Sequence, residues 1–145
     1  MQLTILGCHS ATPRANAHPT AQILDMSGEL VLIDCGEGTQ VQLRKHKVKF
    51  SRISHIFISH LHGDHYFGLI GLLSTFSLLS RTAELHIHAP KELEDIIKLQ
   101  LKASHAFTSY PLIFHHLTSQ NSELILDNDK LTVETIPLSN WVYTN

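Results

Sequence analysis

The chain is short of several things that would take it out of the class of folded soluble domains. It has two cysteines, Cys8 and Cys35, in 145 residues, and neither belongs to a CxxC pair. That is too few for a disulfide framework and reads as free, partly buried thiols in a reducing compartment. A formal charge of −2 leaves no global polycation, so any nucleic-acid contact has to come from a local patch. The longest apolar stretch, residues 66–79, is interrupted by Ser74, Thr75 and Ser77 and falls short of the roughly 20 residues a membrane span needs. Residues 1–7 are apolar but lack a basic segment and are too short for a secretion signal. Repeats, low-complexity tracts and linkers are also missing. A soluble, cytoplasmic protein with no membrane contact is expected. With 43% hydrophobic and 17% charged residues, the chain can bury a core, as one domain or part of one.

Residues 3–6 read as a strand ending at Gly7, followed by a loop of breakers and small residues with Pro13 and Pro19. Residues 21–26 and 30–34 flank Ser27-Gly28, a hairpin signal. Gly36-Glu37-Gly38-Thr39 is a glycine loop, with Thr39 the expected N-cap of a short helix over 40–47 that ends in basic residues. A buried strand is expected over 53–59, a helix over 66–79 and a strand over 85–88. Pro90 then opens a helix whose inner face carries Leu93, Ile96, Ile97 and Leu101. Three further strands are expected at 110–117, 124–126 and 131–136, with a turn at Asp127-Asn128-Asp129. This order predicts an α/β layer, one mixed sheet with helices on one face. The strand at 53–58 is apolar on both faces, so the other side of the sheet needs a cover, from more chain or from another subunit.

Twelve histidines are present, and three fall in His60-Leu61-His62-Gly63-Asp64-His65, on the turn between the 53–59 strand and the next helix. At a strand end, residues i and i+2 point the same way, so His60 and His62 can reach one metal ion. Gly63 lets the backbone turn sharply, and Asp64 and His65 then face a second ion. Two ions about 3.5–4 Å apart clamp both the attacking and the leaving oxygen of a phosphodiester. Each lowers the pKa of bound water to about 7, and Asp64 is placed to take its proton.

With those residues in view, the chain resembles the metallo-β-lactamase superfamily and, within it, the ribonuclease Z family of tRNA 3′-processing endonucleases. Besides the His60–His65 motif and the Tyr66-Phe67-Gly68-Leu69 that follows it, the resemblance rests on Asp34-Cys35-Gly36-Glu37-Gly38-Thr39-Gln40, on residues 72–82, on Ala89-Pro90-Lys91 and more loosely on residues 7–14. It implies an αββα sandwich of which residues 1–145 form the N-terminal half, supplying one mixed sheet with helices on one face. It implies two zinc ions per complete site, His60 and His62 on the first and Asp64 and His65 on the second. Asp64 would also orient or deprotonate the water, and Asp34 would accept a hydrogen bond from a ligand imidazole. Gly36, Glu37, Gly38 and Thr39 would shape the adjoining loop. The implied reaction is hydrolysis of precursor tRNA 3′ to the discriminator nucleotide, leaving a 3′-hydroxyl.

The family's next ligand is the His of a Pro-Leu-x-His-Arg segment. Here the segment is Pro137-Leu138-Ser139-Asn140-Trp141, which puts Asn140, a weak neutral donor, at the ligand position. The family's later ligands, its catalytic His and its tRNA-gripping arm have no counterpart, and residues 142–145 still read as mid-domain sequence. The expectation is a chain weak or inactive by itself, paired with a missing C-terminal half or with a second copy in a homodimer. The alternatives are a catalytically dead binding subunit and a related phosphodiesterase or arylsulfatase-type hydrolase on the same scaffold.

Other groups are weaker candidates. Arg44, Lys45, Lys47, Lys49 and Arg52 form a basic cluster, read either as a phosphate contact or as a solvated helix end. His86 and His88 alternate on a strand with no acidic or Cys neighbour of metal-site type, while His115 and His116 point to opposite faces. His9 and His18 lie in the first loop as replacement ligands. Ser10 and Ser74 have no setting for nucleophilic catalysis.

Overall fold

Side-chain alternation builds the sheet. Leu30 and Leu32 point to one face and Val31 to the other; Ile56 joins the first set and Phe57 the second. The computed structural model describes residues 1–10, 12 and 14–138. Pro13 and the Asn140 and Trp141 positions lie outside these described residues.

β1 (Gln2–Gly7), β2 (Ala21–Met26) and β3 (Glu29–Ile33) make an antiparallel meander. The β2–β3 turn has Ser27 at φ 52° and Gly28 at φ 97°, and the Asp25 carboxylate accepts the Gly28 N–H at 2.9 Å. Two positive φ values match the twist of a tight hairpin. β4 (Ile53–Phe57), β5 (Leu85–Ala89) and β6 (Leu112–His116) then add in parallel, and strand order in this six-stranded sheet equals chain order. Parallel neighbours need crossovers. α1 (Thr39–Lys45) lies in the first, α2 (Gly63–Tyr66) and α3 (Leu69–Leu78) in the second, and α4 (Glu92–Ala103) in the third.

All of these crossovers put their apolar residues into one core. Leu32, Ile56 and Ile87 of the sheet are fully buried in one cluster with Leu43, Leu72, Leu73, Phe76, Leu93 and Ile97 of the helices. Burial of each such side chain contributes roughly 1.5–3 kcal/mol.

Three expectations change. Thr39 is not the cap: Gly38, at φ 77°, occupies that position, and the Thr39 hydroxyl donates to the Gly36 carbonyl at 2.7 Å. The helix over 66–79 is broken at Phe67 and Gly68, where the Gly68 N–H donates back to the Cys35 carbonyl at 2.9 Å. Gly63 lacks a Cβ where one would not fit, as the turn after His62 requires. It opens α2, and a Cβ there would run into the Phe67 ring. The last two strands, β7 (Leu124–Asp127) and β8 (Thr132–Glu134), do not extend the mixed sheet but form a separate two-stranded one. Neither strand has a fully buried residue, as suits a cover more than an inner strand. Ile125, Leu126, Leu131 and Val133 pack there on Leu24, Val31, Ile33 and Phe57, so part of the face opposite the helices is covered.

Candidate metal centre

β3 and β4 run parallel and end side by side, which brings Asp34 next to the segment after Phe57. The Asp34 N–H donates to the Phe57 carbonyl at 2.8 Å, and Asp34 takes a left-handed φ of 58°. Short polar residues tolerate that conformation better than most. Its carboxylate is 5% exposed and fully engaged. Oδ1 accepts the Ser59 N–H at 2.8 Å and the Ser59 hydroxyl at 2.9 Å, and Oδ2 lies 2.8 Å from Nδ1 of His65.

Backbone contacts lock the motif loop to the glycine loop. The Cys35 N–H donates to the His65 carbonyl at 2.7 Å. Gly36 packs so closely on the Asp64 carbonyl and Pro19 that no Cβ fits between them. The glycine here serves close approach, not an unusual dihedral.

On this base the imidazoles gather. His60 Nε2 and His62 Nδ1 are 3.0 Å apart, and the His60 and His65 rings are 4.0 Å apart by centroid. His65 Nε2 lies 3.6 Å from the Asp64 carboxylate. Burial, then the neighbouring His65 and His62, hold the His60 pKa below its ordinary value, which keeps the imidazole neutral as a metal ligand must be. With His65 Nδ1 taken by Asp34, its Nε2 is the nitrogen turned toward Asp64. A tetrahedral zinc with bonds of about 2.0–2.1 Å spans about 3.4 Å between two ligand nitrogens, close to the His60–His62 separation. The donor set therefore suits zinc in kind. Among the described residues it comes as pairs, and no three His, Cys, Asp or Glu side chains converge on one point.

A groove of about 910 Å³ leads away from His60 and His62 along the sheet face opposite the helices. Val31, Ile33 and Phe57 form one wall, and Ile125, Val133 and Leu138 the other.

Ser59 is the residue that motif reading passed over. Its hydroxyl reaches Asp34 and lies 3.0 Å from His60 Nδ1 and 3.3 Å from His65 Nδ1. Its position directly before His60 was the available signal. His18 is held elsewhere, with its Nε2 2.8 Å from Gln42 Nε2, and His9 Nε2 is buried without a hydrogen-bond partner. His86 and His88 share a face as the alternation implies. The structure adds His55 and His115 from the flanking strands, with His55 Nδ1 to His88 Nε2 at 3.0 Å and His86 Nδ1 to His115 Nε2 at 2.9 Å. His116 faces the other way and binds Glu94 of α4 at 2.6 Å.

A family model described as anti-Pycsar protein Apyc1 matches residues 1–128. The chain is 50% identical over 141 residues to a ribonuclease Z of Bacteroides fragilis, covering 97% of this chain and 46% of that protein. It thus spans about half the length of the curated relatives it matches. The crystal structure of the short form of human tRNase Z superposes with a TM-score of 0.83 at 36% identity, over 92% of this chain and 59% of that one. YhfI of Bacillus subtilis, a metallo-β-lactamase-fold protein, gives 0.60 at 20% identity over 91% and 56%, a likeness of fold alone. The resemblance to ribonuclease Z drawn from the motifs is borne out. No helix among the described residues is long and apolar enough to cross a membrane.

Proposed function

The chain belongs to the metallo-β-lactamase-fold family whose model is described as anti-Pycsar protein Apyc1, with ribonucleases Z as its curated relatives, and on that premise we propose that it is the zinc-holding N-terminal half of a ribonuclease Z-type endonuclease. The observation that carries this reading is the Asp34–His65 contact at 2.8 Å beside the His60–His62 pair. A carboxylate that fixes the tautomer and angle of an imidazole is the usual support of a metal-ligating histidine.

In this reading His60 and His62 would hold one zinc and Asp64 and His65 the other. The bound metal supplies Lewis acidity and a water made nucleophilic at neutral pH. The chain's own residues orient that chemistry. Asp34 sets the His65 ring and Ser59 ties Asp34 to His60, while Asp64 would orient a water there and accept its proton. The substrate is precursor tRNA, cut 3′ to the discriminator nucleotide. The ligands missing from each pair come from the C-terminal half of the sandwich or from a second copy seated on the open groove, Asn140 being a poor replacement. The compartment is the cytoplasm.

The test is zinc per chain by elemental analysis, followed by cleavage of a precursor tRNA by the chain alone and together with the C-terminal half of a relative. Two zinc ions per completed site and one cut leaving a 3′-hydroxyl are expected, with His62→Ala lowering the zinc content and abolishing the cut. A zinc-loaded complex that leaves tRNA intact but hydrolyses a small phosphodiester would favour the second reading. That reading is a related phosphodiesterase on this scaffold, and it draws on a family model that bears another name.

A further inference from the structure

The cation least explained by the metal centre is Arg81, in the loop after α3. It is 8% exposed, and its guanidinium donates only to two neutral carbonyls, Nε to Ala83 at 2.7 Å and Nη2 to Glu84 at 2.6 Å. Nη1 is buried with no hydrogen-bond partner. The guanidinium carbon sits 5.1 Å from the Phe76 ring centre and 5.5 Å from that of Tyr110. Among the described residues, no carboxylate lies within ion-pair distance. A neutral donor would serve the same two carbonyls with far less desolvation, because removing a full charge from water is costly without a counter-charge.

Arg81 lines a recess of about 430 Å³, a size usual for ligand sites. The polar residues lining it besides Arg81 are Lys49, Ser51, Ser80 and Thr82, and none of the lining residues is acidic. Lys49 continues the exposed cluster Arg44, Lys45 and Lys47, so the mouth of the recess is also cationic. The negative end of α3 works against an anion here. Its final carbonyls are already occupied, by the Leu79, Ser80 and Arg81 N–H groups. The recess lies at the start of β4 and β5, whereas His60 lies past the end of β4. A strand length of roughly 15 Å or more separates the two sites.

We infer that this recess binds a phosphate group, of an RNA backbone or of a free phosphate compound, at the end of the sheet opposite His60. Arg81 supplies the fixed charge, Lys49 a movable one, and the three hydroxyls hydrogen bonds. The site does not depend on the proposed reaction and is read without it.

The test is backbone-amide NMR of the whole chain with chelator present, titrated first with inorganic phosphate and then with a short RNA hairpin. Shifts are expected at Ser51 and residues 80–83. Lys49→Glu, at an exposed position, should weaken binding by at least tenfold and lower the salt slope of RNA binding by about one. Lys102→Glu, an exposed cation on α4, should leave both unchanged. Phosphate shifts that RNA abolishes by competition identify the backbone as the source. Phosphate shifts that RNA leaves alone identify a free phosphate compound. Silence of these amides in both titrations overturns the site, as does a Lys49→Glu protein that binds like the parent. Failure of tRNA cleavage would leave all of these readouts standing.

Discussion

Asp34 grips His65 through Nδ1 at 2.8 Å from a backbone held at φ 58°. The two residues are 31 positions apart, and the contact exists only because β3 and β4 end in parallel register. Orientation of the motif histidine is thus set by the sheet, not by its own loop.

Asp34→Asn should keep the fold, since Asn tolerates a left-handed backbone. It should weaken zinc binding by about 10–100-fold, because the amide is a poorer acceptor for the imidazole N–H. Chelator competition measures this, with thermal unfolding as the control. Unchanged zinc affinity would remove Asp34 from the site.

Gly36→Ala puts a methyl group into the Asp64 carbonyl and Pro19. Overpacking of this kind costs about 1–3 kcal/mol. Urea denaturation should show that loss, together with weaker zinc binding as the Asp64 backbone is pushed away. A neutral substitution would mean that the two loops are not in contact.

His88 is buried against His115, His55 and His86 and stacked on Phe57 at 4.3 Å, while Glu29 and Glu84 face His55 and His86. Burial first, and then the neighbouring imidazoles, push its pKa down to about 3; His55 and His115 are lowered as well. A histidine depressed in the folded state is neutral there, and the unfolded chain binds the proton more readily. The His88 contribution is therefore complete above about pH 6.5 and is lost as pH falls toward 3, by at most about 1.4 kcal/mol per pH unit. Urea midpoints between pH 7.5 and 5 should fall on acidification, and His88→Phe should flatten the curve. A curve of the same slope in that variant would contradict the assignment.

Cys35 is fully buried, and burial raises its thiol pKa to about 12. Cys8 is exposed. A thiol reagent at pH 8 should therefore label one cysteine quickly and the second only after denaturant is added. Rapid labelling of both would mean that the 34–36 loop opens in the native state.

The elements that follow local rules were legible in the chain. The Ser27-Gly28 hairpin, the apolar β4 and the spacing of His60, His62, Asp64 and His65 can be read from neighbours a few residues apart. What could not be read depends on residues distant in sequence. The break at Phe67 and Gly68 is made by the Cys35 carbonyl, and the four-histidine face by alignment of β4, β5 and β6. β7 and β8 looked like further strands of one sheet because period two says which residues share a face, but not which sheet they join. Asn140, the departure most telling in the sequence, lies outside the described residues.

Because strand order equals chain order, the sheet can be assembled in the sequence in which the chain leaves the ribosome. Each strand from β2 to β6 meets a partner already synthesised, and its crossover helix emerges before it is needed. In the six-stranded sheet only β1 waits for a later strand, and none is inserted between two that have paired. During synthesis the sheet keeps one constant edge, β1, and one growing edge, so each parallel addition exposes the unpaired backbone of only one new strand, and unpaired strand backbone is the usual route to aggregation.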